Sequence, residues 1–97
     1  MLEMIKYKDK CVDLATHAIG MDNKGTYTRH GRIFYKPYRN YFATSRDSND
    51  FKEWSWMEQY GYAKSLADGN HVLFRLTRAG LDWLGKKIGV HIYDEED

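Results

Sequence analysis

Residues 29–42, RHGRIFYKPYRNYF, interleave cations with aromatic rings and contain no acid. Two kinds of behaviour follow from that alternation. Arg and Lys neutralise phosphates while Tyr and Phe rings stack on unpaired bases, so the stretch holds the residue types of a nucleic-acid contact surface. Equally, Phe34, Tyr38, Tyr41 and Phe42 fall where a short strand and a helix place core residues, with the neighbouring cations as a solvated rim. The candidate phosphate contacts are Arg29, Arg32, Lys36, Arg39, Arg46 and, further along, Lys52.

Reactive side chains elsewhere are spaced less usefully. Cys11 and His17 lie six residues apart on one expected helix, a spacing that does not share a face. No Cys or His pair has zinc-site spacing, and there is no glycine-rich phosphate loop. His30 and His71 sit in turn contexts, and Cys11 suits a small core position. Asp47, Asp50 and Glu53 cluster, but helix capping accounts for at least two of them. The chain is therefore expected to be non-catalytic, without metal or cofactor. Trp56, Tyr60, Tyr62 and Trp83 are large rings that one small core does not fully hide. Exposed Trp and Tyr mark binding hot spots, so Trp83, Tyr60 and Tyr62 are candidates for a protein interface.

These residues must be positioned by a single small fold. The 97 residues suffice for one domain, expected over 1–93, followed by an acidic tail at 94–97. The hydrophobic fraction of 42% argues against disorder, and no apolar run approaches a membrane span. The amino terminus lacks the apolar core of a signal peptide, and a lone Cys11 forms no intrachain disulfide. A reducing, cytoplasmic setting without membrane contact is expected. A net charge of +1 hides an asymmetry: residues 1–46 carry nine Lys or Arg against four acids, and 47–97 carry six against ten.

Cys11, Leu14, Ala15, Ala18 and Ile19 keep helical spacing, which predicts a helix over Ile5–Gly20 ended by Gly20. A loop at 21–25 precedes a short strand at Arg32–Tyr35. Pro37 then opens a two-turn helix over Tyr38–Ala43. Asp50 and Glu53 form a capping-box pattern ahead of Phe51, Trp54 and Met57, predicting a helix ended by Gly61. Residues 62–76 read as a β-hairpin turning at Asp68-Gly69, with Val72, Phe74 and Leu76 on one side. Thr77 caps a last helix whose Leu81, Leu84 and Ile88 share a face, and Val90–Ile92 adds a short extended piece.

The segment GYAKSLADGNHVLFRLTRAGLDWLG, residues 61–85, with its step Leu76-Thr77-Arg78-Ala79-Gly80, resembles the winged helix-turn-helix superfamily. The resemblance implies an α+β fold of three to four helices, a small antiparallel sheet with a β-hairpin wing at 62–76, and a carboxy-terminal helix. It further implies that helix 50–60 enters a DNA groove, with Lys52 on phosphate and Trp56 and Gln59 as base readers. Such relatives often dimerise through terminal helices, here through Trp83. The wing tip Asp68-Gly69-Asn70-His71 departs from the pattern by carrying no Arg or Lys. In size and style the chain also resembles small phage and prophage proteins. A nucleic-acid-binding module is the leading expectation; an adaptor or inhibitor docking on a protein through exposed aromatics is the alternative.

Overall fold

Three glycines in left-handed backbone mark where the helices stop. The first helix, α1 (Leu2–Ala18), buries Cys11, Ala15 and Ala18 completely, small side chains that let its neighbours come close. It ends as expected at Gly20, where φ is 81° and the Met21 amide reaches back to the Thr16 carbonyl. A computed structural model describes residues 2–21 and 25–94, with side chains from Lys10 onward. Residues 22–24 of the expected loop and 95–97 of the expected tail lie outside the described residues.

Next comes a hairpin of β1 (Tyr27–Arg29) and β2 (Arg32–Tyr35). Its two-residue turn, His30-Gly31, has φ of 52° and 76°, the all-positive backbone of a type I′ turn. Only the second strand is legible from residue preferences. An irregular segment then leads to β3 (Phe42–Ser45), α2 (Asp50–Gln59), β4 (Ala63–Asp68), β5 (His71–Leu76), α3 (Arg78–Ile88) and β6 (His91–Ile92). The strands form two three-stranded sheets, not one. The first, ordered β1-β2-β6, is mixed, with β6 parallel to β2; the second, β3-β5-β4, is antiparallel. The architecture is α+β with three helices among the described residues.

The core lies between the second sheet and the helices. Val72, Phe74 and Leu76 alternate inward along β5 while His71, Leu73 and Arg75 face out. Trp54 of α2 stacks on Phe74 at 5.3 Å and 19° and leans on Phe42 at 5.3 Å. Leu81 and Leu84 of α3 and Ile92 complete the seal, and each fully buried side chain of this size contributes about 1.5–3 kcal/mol. Thr77 caps α3 by accepting the Gly80 amide at 3.0 Å, and Gly89 closes it with φ of 72°. Gly61, with φ of 80°, closes α2 in a Schellman arrangement: its amide reaches Glu58 and the Tyr62 amide reaches Met57.

Two local expectations are corrected. No helix forms over Tyr38–Ala43; residues 36–41 are irregular and β3 begins at Phe42. The reason is that long-range bonds claim the groups a helix would use. The Tyr41 amide donates to the Ala18 carbonyl at 3.1 Å. The buried Asn40 side chain clamps Leu76, donating to its carbonyl at 2.9 Å and accepting from its amide at 2.8 Å. Tyr38 packs flat over Gly20, where a Cβ would sit 2.4 Å from the ring. The second correction concerns the start of α2. Asn49 occupies the cap position without a side-chain bond, and the Ser48 hydroxyl accepts the Asp50 amide. Glu53 is buried instead against α1, its carboxylate 3.6 Å from Lys10.

Candidate nucleic-acid interface

The register of the first sheet determines which side chains share its open face. Tyr27 pairs with Phe34, Arg29 with Arg32, and Phe34 with His91, so Tyr27, Arg29, Arg32, Phe34 and His91 all project to one side. The other side carries Tyr35 and Ile92, which are buried in the core. On the open side the rings touch in a row. Tyr27 stacks on Phe34 at 5.7 Å and 21°, and Phe34 stacks on Tyr93 at 6.1 Å and 17°. His91 meets both Phe34 and Tyr93 edge-on, at 5.7 and 4.7 Å. Tyr27 is 46% exposed and Phe34 and Tyr93 are half-buried, so the row is partly open to solvent.

Cations border this row. Arg29 and Arg32 face each other across the hairpin next to its tip, both exposed and with no ion pair among the described residues. Like charges directly opposite on a sheet destabilise it by roughly 0.2–1 kcal/mol, a cost comparable to the gain from the neighbouring Tyr27–Phe34 pair. Lys36 lies over the Tyr93 ring at 5.9 Å, its ammonium donating to the Asp94 carbonyl. Aromatic rows flanked by Arg and Lys on a sheet face suit unpaired bases and their phosphates, because every base has a π-face.

The remaining predicted residues lie elsewhere. Arg39 donates to the His17 carbonyl at 2.8 Å and lies over the Tyr38 ring at 5.5 Å. With the Tyr35 hydroxyl on the Ile19 carbonyl and the Tyr41 amide on Ala18, it satisfies the carbonyls at the carboxy-terminal end of α1. Arg46 braces the second hairpin, donating to the Gly69 carbonyl at 3.2 Å. Lys52 is exposed on α2. Trp56 and Gln59 share that helix with acidic Glu58, which accepts a hydrogen bond from Ser65, and α2 presents no continuous cationic face. The basic stretch is thus divided among the first sheet, the end of α1 and the second sheet.

The expected protein-interface residues do come together. Tyr62 stacks on Trp83 at 5.1 Å and 13°, and Trp56 touches Tyr60, Tyr62 and Trp83 at 4.7, 6.4 and 6.2 Å. Tyr60 is 57% exposed, and Trp56, Tyr62 and Trp83 are half-buried.

Sequence reasoning missed Tyr27, His91 and Tyr93. Tyr27 lies on β1, a strand that residue preferences did not announce, and His91 and Tyr93 join the row only through the parallel pairing of β6. Cys11 is wholly buried, and that burial pushes its thiol up to about 12, with the nearby Glu53 carboxylate adding to the rise. Such a thiol is a packing group and not a nucleophile at neutral pH. Asp47 is held below the usual carboxylate range, mainly by a hydrogen bond from Ser45. Among the described residues no group of three or more His, Cys, Asp or Glu is placed to hold a metal ion, and no helix is long and apolar enough to cross a membrane. No protein-family model matches the chain, nor does any curated protein or solved structure.

Proposed function

We propose that this chain is a non-catalytic module that binds single-stranded nucleic acid on the open face of the β1-β2-β6 sheet. Tyr27, Phe34 and Tyr93 stack on unpaired bases, His91 closes the row, and Arg29, Arg32 and Lys36 take adjacent phosphates. One observation carries the reading: a row of rings shares its face with two opposed arginines that have no acidic partner among the described residues. A duplex hides its base faces in its own stack, so such a row favours unpaired strands. The β4–β5 hairpin, which falls between α2 and α3 in the chain, supports a winged-helix-like likeness for that half of the fold. Duplex readout by Trp56 and Gln59 is disfavoured within this proposal, because α2 offers no cationic flank and Trp56 packs against Tyr60, Tyr62 and Trp83.

Fluorescence anisotropy with labelled single-stranded and duplex oligonucleotides of mixed sequence, at low and moderate salt, tests it. Binding to single strands that exceeds binding to duplex and weakens with salt is expected. No binding at low salt, or a preference for duplex, refutes it.

A further inference from the structure

The first sheet's open face does not end at β6. His91, which closes the ring row, also lines a groove of about 430 Å3 between β6 and the end of α3, together with Gly85, Lys86 and Gly89. Gly85 keeps this groove tight, since a Cβ there would lie 2.5 Å from the Val90 carbonyl oxygen. On the other side of the Asp82–Lys86 ridge lies a second groove, of about 510 Å3, walled by Tyr62, Trp83, Lys86 and Lys87. The two hollows share Asp82 and Lys86, and the second opens on the four-ring cluster of Trp56, Tyr60, Tyr62 and Trp83.

We infer that a bound strand continues from the sheet across α3 to a second stacking subsite at Tyr62, Trp83 and Tyr60, with Lys86 and Lys87 on its phosphates. The inference rests on the single-strand reading above and extends it. Lys86 and Lys87 are exposed and make no ion pair among the described residues. Asp82, the one acid among the described residues that line the two grooves, is held by Arg78, whose Nε and Nη2 lie 3.2 and 2.9 Å from its carboxylate. The ridge therefore presents Lys86 as its uncompensated charge. Tyr60, 57% exposed and near-parallel to Tyr62 at 6.2 Å and 22°, extends the Tyr62–Trp83 stack to the surface, where its ring is open to sequence-tolerant stacking.

The test compares oligonucleotides of about 4 and about 16 nucleotides, the range of lengths that small single-strand-binding domains cover. The long strand should bind more tightly and quench tryptophan fluorescence, while the short one binds the sheet alone. The surface variant Lys86→Ala/Lys87→Ala should lower the salt slope for the long strand by about 1.4, at about 0.7 per phosphate, and leave the short strand unchanged. Tyr60→Ala should weaken only the long strand. Equal affinity for both lengths, with no effect of these variants, overturns the second subsite while leaving the sheet reading intact. Absence of binding at either length overturns both. A Tyr60→Ala change that dissociates a dimer in light scattering, without altering long-strand binding, assigns the cluster to protein contact and overturns the extension.

Discussion

Replacing Arg29 and Arg32 together by Ala separates the cost of the opposed pair from its use. In the free protein the two guanidiniums face each other across a type I′ hairpin with no acid paired to them among the described residues. Removing them should leave stability unchanged or raise it by roughly 0.2–1 kcal/mol, the size of a like-charge cross-strand penalty. In a domain of this length that is a rise in Tm of up to about 4–8 °C. Binding should move the opposite way. Three cations on the sheet, Arg29, Arg32 and Lys36, correspond to a log–log salt slope of about −2.1 on a single strand. Raising salt from about 50 to about 200 mM should then weaken a short oligonucleotide about 20-fold in the parent. In the double Ala variant, with one cation left, the slope becomes about −0.7 and the loss about threefold. Arg29→Lys/Arg32→Lys should keep the parental slope. Anisotropy titrations at four salt concentrations, beside thermal melts, read both quantities. A double Ala variant that melts no lower than the parent yet keeps its salt slope would refute the assignment of these arginines to phosphate.

Three further outcomes bear on how the site is held. Gly80→Ala places a Cβ 1.9 Å from the Tyr62 carbonyl oxygen, so α3 must shift off the segment that joins α2 to β4; overpacking of this kind costs about 1–3 kcal/mol, read as a lowered melting temperature with altered Trp fluorescence as the Tyr62–Trp83 stack is disturbed. Asn40→Ala strips both partners from the Leu76 backbone groups in a buried setting, at about 1–3 kcal/mol for each group left unpaired, measurable by urea denaturation. Cys11 stays neutral in the fold up to about 12 but ionises near its ordinary 9.0 when unfolded. Its contribution is fully present below pH 9.0 and lost as pH rises towards 12, so the parent should lose stability relative to Cys11→Ala between about pH 9 and 12; iodoacetamide should label Cys11 only on unfolding.

How much of this was legible depends on where each signal sits. Thr77 capping onto Gly80, Gly20 and Gly61 closing their helices, and the alternation of Val72, Phe74 and Leu76 are local. Each was readable because three or four neighbouring residues determine the outcome. Tyr38–Ala43 misled because its helical start at Pro37 is outweighed by bonds to Ala18 and Leu76, residues distant in the chain. Glu53 was expected to face its own helix start, and its pairing with Lys10 depends on how α1 and α2 pack. At the candidate site, Arg29, Arg32 and Lys36 were readable from the basic stretch, and Tyr60, Tyr62 and Trp83 from ring size. What could not be read was their company. Parallel pairing leaves no turn to betray it, so nothing near Phe34 announces His91 or Tyr93.

That parallel junction between β2 and β6 also has a bearing on timing. The partners it joins are separated by nearly sixty residues, with the second sheet and two helices in between. Ordering so large a loop makes such pairings late events in folding. The ring row is therefore expected to be completed late, when β6 brings His91 and Tyr93 to the hairpin that already holds Tyr27 and Phe34. A chain stalled midway would hold Arg29 and Arg32 in their hairpin but lack His91 and Tyr93, half of the ring row.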